Sequence, residues 1–139
     1  MSKVTKPTRY QSVLLVDDND IDNFINERII LSFDFSSTVI VRTSGLSALQ
    51  YLREFLQKPE KLPQIIFLDL NMPIMDGFQF LEEFDLIVQN YPVVKEKCRV
   101  IVLSSSMSPD DINRASINPY VHKYINKPLT ESYLEAINL

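Results

Sequence analysis

The residues of this chain best suited to chemistry are carboxylate, hydroxyl and amine side chains that directly follow short apolar runs. They form four groups: Asp17-Asp18, residues 69–73, residues 104–106 and Lys127-Pro128. Carboxylates that share one small site cannot all stay ionised unless a cation neutralises them. Mg²⁺ prefers oxygen ligands and typically takes one or two carboxylates together with phosphate oxygens. The residue types therefore indicate a magnesium site that receives a phosphoryl group.

Four residues are candidate ligands of that ion. We expect Asp18 and Asp69 to bind Mg²⁺ directly. Asp17 could act through a water molecule, and the backbone carbonyl of Asn71 could fill a further position. The position that remains suits an oxygen of the phosphoryl group.

Asp69 is also the candidate nucleophile, because it ends the central apolar run and Gly77 lets the following loop fold back closely. A carboxylate can attack phosphorus and form an aspartyl phosphate. Lys127 would neutralise charge on the transferred group, and the Ser104 hydroxyl would hold another of its oxygens. Asp69, Ser104 and Lys127 are thus the predicted catalytic residues.

Five short apolar runs must position these residues. They cover residues 13–16, 39–41, 65–68, 100–103 and, more weakly, 120–125. The first four are continuous and rich in β-branched residues, which is typical of parallel strands buried on both faces. Parallel strands place their carboxyl ends on one edge of a sheet, where ligands bind. The four chemical groups are therefore expected to meet there.

The segments between the runs carry apolar residues spaced by three and four, which predicts amphipathic helices. The first helix is expected behind Asp20 as N-cap, with Ile21, Phe24, Ile25 and Ile29 on its apolar face. The others are expected to begin near Ser44, Gly77, Ser108 and Thr130, the last running to the end of the chain. Residues 57–64 and 89–99 are interpreted as solvated, lysine-bearing loops. The alternation predicts an α/β protein with a doubly wound, five-stranded parallel sheet of (βα)5 order.

Length and composition narrow the classes of function. The chain has 139 residues, of which 45% are hydrophobic, so we expect one domain at 12–139 behind a polar extension at 1–11. A net charge of −4 disfavours nucleic-acid binding. One cysteine and one histidine exclude an internal disulfide and a Cys- or His-rich metal centre. Two glycines cannot build a glycine-rich phosphate loop.

The same features suggest where the protein resides. No apolar run approaches the roughly 18 residues of a membrane span, and the polar N-terminus lacks the apolar region of a secretory signal. The single thiol fits a reducing compartment. We therefore expect a cytoplasmic protein.

Taken together and in order, four motifs resemble the receiver domain of two-component response regulators. They are LLVDD at 14–18, LDLNMPIMDG at 68–77, VLSS at 102–105 and KPL at 127–129. The resemblance spans nearly the whole chain, from residue 12 to residue 139. It implies a flavodoxin-like receiver fold and a single-domain regulator similar to the phytochrome-associated type.

The resemblance implies that Asp69 accepts a phosphoryl group from a histidine kinase or a histidine phosphotransfer protein. It also implies an acid pair that holds Mg²⁺, a switch hydroxyl, a lysine followed by a cis peptide bond, and an aromatic switch residue. In that order these are Asp17-Asp18, Ser104, Lys127-Pro128 and Tyr124. In the family the aromatic side chain moves inward with the hydroxyl. That movement remodels the surface made by the helix before the fifth strand, the fifth strand and the last helix, which a downstream protein would read.

The sequence departs from the family pattern at two places. The switch hydroxyl is a serine where threonine is commoner, which is a mild change. Asn118-Pro119-Tyr120 replaces the usual Gly-Ala before the fifth strand, where asparagine tolerates a left-handed φ.

Two other functions compete with a phosphoryl-accepting switch, which would act on no separate substrate. A haloacid-dehalogenase-like phosphatase would also use a strand-end Asp with Mg²⁺. Its acid catalyst would stand two residues after Asp69, where this chain has Asn71, and there is no room for a cap domain. A phosphorylation-independent receiver-like interaction module would not need the complete set of site residues. The sequence leaves a homodimer open, with no pattern that supports it.

Overall fold

The structure is a computed structural model that describes residues 7–139, so residues 1–6 of the expected N-terminal extension lie outside the described residues. Five parallel strands form one sheet in the order β2-β1-β3-β4-β5. They are β1 Val13–Val16, β2 Val39–Arg42, β3 Ile65–Leu68, β4 Arg99–Ser104 and β5 Val121–Asn126. The predicted doubly wound α/β fold is therefore confirmed, with strand bounds within one residue of the apolar runs.

Within residues 7–139, six α-helices connect the strands or follow the last of them. They are α1 Asp20–Ser32, α2 Gly45–Glu54, α3 Gly77–Asn90, α4 Val93–Lys97, α5 Pro109–Ile117 and α6 Glu131–Ala136. Ser44, Ser108 and Thr130 each accept a hydrogen bond from a backbone N–H of the helix they precede, at the predicted helix starts. The last helix was predicted to run to the end of the chain, which is wrong, because α6 ends at Ala136. The predicted cap of α1 is wrong by one residue, because the Asn19 side chain accepts the Asp22 N–H instead. Among the described helices, none is long and apolar enough to cross a membrane.

The two segments interpreted as solvated loops are partly structured. In residues 89–99, α3 continues to Asn90 and α4 follows, with Val94 and Cys98 buried. The two residues are four positions apart, so their side chains lie on one face of a helical turn. The lysines between and around them make this apolar face hard to recognise in the sequence. In residues 57–64 a 3₁₀ turn at Pro59–Lys61 precedes a buried Leu62. The loop interpretation is therefore wrong for these apolar positions.

Alternate residues of the central strands pack into two separate cores. Leu14 and Ile66 face the cluster that α2 and α3 cover, whereas Leu15 and Phe67 face the cluster that contains Ile30 of α1. This alternation follows from the two-residue period of a strand. It explains why β1 and β3 are apolar at every position.

The predicted apolar face of α1 is wrong in the first half of the helix. Ile21 and Phe24 are 71% and 63% exposed, whereas Asn23 and Asn26 are 5% and 2% exposed. The reason is that the two asparagines face polar backbone. Asn23 Nδ2 donates to the Asp17 carbonyl at 2.8 Å, and Asn26 Oδ1 accepts the N–H of Leu129 at 3.1 Å.

The segment before β5 adopts an ordinary backbone conformation. Asn118 has φ −73° and ψ 127°, so the left-handed conformation that asparagine tolerates is not used there. Its Oδ1 accepts the N–H of Tyr120 at 2.9 Å, which closes a turn. β5 then begins at Val121, one residue later than the apolar run suggested.

Candidate functional site

Four strand ends bring polar side chains to the carboxyl edge of the sheet. Asp17 follows β1, Asp69 follows β3, Ser104 ends β4, and Lys127 follows β5. Lys127 Nζ lies 2.6 Å from Asp17 Oδ2 and 3.6 Å from Asp69 Oδ2. The structure therefore places the predicted nucleophile, one predicted metal ligand and the predicted lysine within one small site.

Three carboxylates at this edge are close enough to share one cation. Ligand oxygens of Asp17, Asp18 and Asp69 all lie within 4.8 Å of one another. Asp17 and Asp69 are buried, and Asp18 is exposed. Such oxygen-only clusters suit hard divalent ions such as Mg²⁺. This donor set fits the predicted magnesium site.

The Asp69 carboxylate lies in an environment that disfavours its charge. Burial and the neighbouring charge of Asp17 raise the pKa of Asp69 from 3.8 to about 6, against the opposing effects of Lys127 and the backbone N–H of Asn71. The sequence interpretation did not include this effect of the Asn71 backbone on Asp69. A cation shared with Asp17 would relieve the repulsion that the two carboxylates now exert on each other.

Lys127 lies within ion-pair distance of three carboxylates. Its Nζ also lies 3.0 Å from Asp22 Oδ2 in the first turn of α1. Burial alone lowers the pKa of Lys127, but the hydrogen bonds to Asp17 and Asp22 and the charge of Asp69 outweigh burial and raise it. The ammonium group is therefore firmly charged. The peptide bond between Lys127 and Pro128 is cis, as the resemblance implied.

Ser104 and Tyr124 both form hydrogen bonds with the backbone of Ser106. The buried Ser104 Oγ accepts the N–H of Ser106 at 3.1 Å, and the Tyr124 hydroxyl donates to the carbonyl of Ser106 at 2.8 Å. Ser106 Oγ in turn donates to Asp111 Oδ2 of α5 at 2.7 Å. The two predicted switch residues are therefore connected to each other and to α5 through Ser106.

The loop after Asp69 contains a strained residue. Ile74 has φ 71°, and the N–H of Met75 donates to the carbonyl of Pro73 at 2.8 Å, which closes a γ-turn around it. A β-branched residue rarely adopts a positive φ. The Ile74 side chain is fully exposed, so the protein gains no burial in return.

Ile74→Gly should therefore stabilise the protein. Glycine adopts positive φ freely, and we expect a gain of about 1 kcal/mol after the greater flexibility of glycine in the unfolded chain is subtracted. Thermal unfolding would show this as a rise of about 2–4 °C in Tm. Ile74→Ala, which keeps a Cβ, is the matched control and should recover only part of the gain. An unchanged or lower Tm for Ile74→Gly would contradict the strain.

Sequence reasoning missed three polar residues of α1 that support the site. Asp22 pairs with Lys127, Asn23 holds the backbone of Asp17, and Asn26 holds the backbone that follows Lys127-Pro128. A signal was present: the three lie on one side of a helix whose other side is apolar. That pattern was interpreted with the apolar side inward.

His122, the one histidine of the chain, does not join the site. It lies on β5, and its side chain is largely exposed. Burial of its ring and the charges of Arg99 and Lys95 lower its pKa.

Comparison with known proteins places these features in a family. The model of the response regulator receiver domain matches residues 13–138. The chain is 32% identical over 130 residues to response regulator Rcp1 from Synechocystis, covering 91% of this chain and 82% of that protein. It is also similar to the crystal structure of a two component response regulator from Cytophaga hutchinsonii, with 37% identity, 91% and 92% of the two chains covered and a TM-score of 0.80. The structure of the phosphorylated cyanobacterial phytochrome response regulator RcpA shares 28% identity, covers 91% and 87% of the two chains and gives a TM-score of 0.70.

Proposed function

Because the chain belongs to the response regulator receiver domain family, we propose that it is a phosphoryl-accepting switch of a two-component phosphorelay, with Asp69 as acceptor. One observation carries the proposal. The buried Asp69 carboxylate directly follows the central strand, and a charged lysine and two further carboxylates lie close to it. This arrangement is costly for a protein that never places a cation or a phosphoryl group there.

The residues suggest how transfer would proceed. A carboxylate oxygen of Asp69 attacks the phosphorus of a phosphohistidine, and the phosphorus–nitrogen bond breaks. Its electron pair goes to the departing imidazole nitrogen, which takes up a proton. Lys127, whose Nζ lies 3.6 Å from Asp69 Oδ2, would hold one phosphoryl oxygen, and the Ser104 hydroxyl would hold another.

We propose that Asp17, Asp18 and Asp69 hold Mg²⁺, whose charge would neutralise the phosphoryl oxygens during transfer. The backbone carbonyl of Asn71 is a further proposed ligand of the ion. We propose no separate substrate, so the protein would promote only its own phosphorylation and the hydrolysis of its own aspartyl phosphate. A phosphatase of the haloacid-dehalogenase kind is less well supported, since Asn71 cannot supply the proton that its leaving group needs.

The donor we propose is a histidine kinase or a histidine phosphotransfer protein. Exposed apolar residues of α1 lie beside the site, and Ile25 lines a cavity of about 290 Å³ together with Lys127 and Pro128. A protein that presents a phosphohistidine to Asp69 would approach across this surface. We propose a cytoplasmic location, because the buried Cys98 forms no disulfide, which suits a reducing compartment. A homodimer is compatible with this proposal.

The output we propose passes through Ser106. A phosphoryl group on Asp69 adds about −1.5 to −2 charges and three acceptor oxygens. The Ser104 hydroxyl would then turn toward the phosphoryl group and release the Ser106 N–H. Ser106 also accepts a hydrogen bond from the Tyr124 hydroxyl and donates one to Asp111 of α5, so its movement would reach both. A downstream protein that binds α5, β5 and α6 would read the change.

A small phosphodonor tests the function. With acetyl phosphate and Mg²⁺ we expect one phosphoryl group per chain, measured by intact-protein mass spectrometry, and none when the Mg²⁺ is chelated. Turnover of unrelated phosphate esters by the same preparation would favour the phosphatase instead.

Asp18→Asn should weaken Mg²⁺ binding by about tenfold or more, because the amide carries no charge to offset that of the cation. Isothermal titration calorimetry measures this directly. Asp20→Asn removes the same charge from an exposed position two residues away and should change Mg²⁺ affinity much less. Equal affinities for Asp18→Asn and the wild type would remove Asp18 from the ligand set.

A further inference from the structure

Asp22, on the first turn of α1, has no place in the reaction proposed above, yet it contacts Lys127. We propose that Asp22 is a competing partner for Lys127 and so lowers the affinity of the site for a phosphoryl group. This inference rests on the proposed function of Asp69 and Lys127.

The competition follows from the donors of Lys127. An ammonium group has three N–H donors and no acceptor. Two carboxylates now lie within hydrogen-bond distance of Nζ, Asp17 at 2.6 Å and Asp22 at 3.0 Å, whereas Asp69 lies at 3.6 Å. A phosphoryl oxygen on Asp69 must draw Lys127 toward it, and the ammonium then loses or lengthens one of its present contacts.

Asp22 is the partner that can yield most easily. Its side chain is 35% exposed, against 7% for Asp17, and it lines the cavity of about 290 Å³ beside Lys127. Water can therefore replace Lys127 as its partner, whereas a released Asp17 would stay buried without one. The charge of Asp22 also repels a phosphoryl group brought to the same ammonium. Both effects act in the same direction.

The backbone of Asp22 is well fixed for this role. Its N–H donates to the cap residue Asn19 at 3.0 Å, and Asn23, the next residue, is anchored to the Asp17 carbonyl. The carboxylate is thereby aimed at the site by the same helix that supports Asp17. Asp20, in the same turn, is exposed and has no such contact with Lys127 among the described residues.

The test measures the affinity for trifluoroberyllate, an analogue of the phosphoryl group, at saturating Mg²⁺. We expect Asp22→Asn to bind it about three- to tenfold more tightly and to be phosphorylated faster by acetyl phosphate by a similar factor, which is the range of a partly exposed charged hydrogen bond. Asp20→Asn removes the same charge from the same turn and should behave as the wild type. Asp22→Glu, which keeps a carboxylate, should restore much of the competition.

Each outcome decides the matter. Unchanged or weaker binding by Asp22→Asn overturns the proposal, and so does an equal gain in Asp20→Asn, which would show a general effect of net charge. If Asp22→Asn does not fold, Asp22→Ser supplies the comparison, with the same expected gain. Failure of the wild type itself to bind trifluoroberyllate would contradict the proposed function, whereas tight binding without a difference between variants would overturn only the role of Asp22.

Discussion

Asp69→Asn will unfold at a higher denaturant concentration than the wild type when divalent cations are absent, and we expect that it cannot be phosphorylated. The pKa of Asp69 is raised from 3.8 to about 6, so its charge opposes folding at neutral pH. Two pKa units correspond to roughly 3 kcal/mol, which is an upper limit because the amide is itself a polar group that is costly to bury. We expect a gain of about 1–2 kcal/mol at pH 7.

The pH dependence of this gain has a definite sign. A carboxyl group with a raised pKa destabilises the folded state fully above that pKa, and the penalty disappears as pH falls toward the unfolded value. The difference between Asp69→Asn and the wild type should therefore be largest above pH 6 and shrink between about pH 6 and pH 4. Mg²⁺ should also reduce it at neutral pH, since a bound cation neutralises the wild-type carboxylate.

Urea unfolding in a chelating buffer at several pH values measures the effect. Asp76→Asn is the matched control, because Asp76 lies in the same loop and asparagine caps helices as well as aspartate does. That variant should show no such pH dependence and should still be phosphorylated. A destabilised Asp69→Asn would mean that Lys127 and the Asn71 N–H favour the charge more than burial and Asp17 oppose it.

Gly77→Ala should damage both the fold and the reaction. A Cβ at residue 77 would lie 2.7 Å from the carbonyl oxygen of Asp69 and 2.8 Å from Cα of Leu70. Both atoms belong to the backbone, which cannot move aside without shifting the end of β3. We expect a loss of about 2–3 kcal/mol in the free energy of unfolding. A displaced Asp69 should also lower the phosphorylation rate, by up to about a hundredfold.

Gly45→Ala is the control for the loss of glycine itself. Gly45 is also the first residue of a helix, but the nearest atom to its added Cβ is the sulfur of Met75 at 2.8 Å, which belongs to a flexible side chain. Its free energy of unfolding should change by less than about 1 kcal/mol. Chemical denaturation and acetyl phosphate kinetics compare the two variants, and similar losses in both would contradict the close approach at Asp69.

The strands and the acidic edge of this protein could be predicted because each depends on a short stretch of sequence. A continuous apolar run followed by Asp69 identifies a buried strand and a polar strand end without reference to the rest of the chain. The order of helices and strands then brings Asp17, Asp69 and Lys127 to one edge of the sheet, where the structure places them.

The face of α1 could not be predicted in the same way. Both its apolar and its polar residues recur at helical spacing, so the pattern predicts a helix without showing which face is buried. The apolar face was assigned to the core because apolar faces usually are. Which side is buried depends on what lies beneath it: the first half of α1 covers the backbone of Asp17 and the segment after Lys127, which need hydrogen bonds from Asn23 and Asn26. This dependence on tertiary contacts also hid Asp22.

The most direct test of the account is to locate the phosphoryl group. The chain is phosphorylated with acetyl phosphate and Mg²⁺, reduced with borohydride, which converts an aspartyl phosphate into homoserine, and mapped by peptide mass spectrometry. We predict homoserine at residue 69 alone, and none in Asp69→Asn. Modification at Asp17, Asp18 or His122 instead, or a stable adduct that persists in Asp69→Asn, would contradict the assignment of Asp69 as the acceptor.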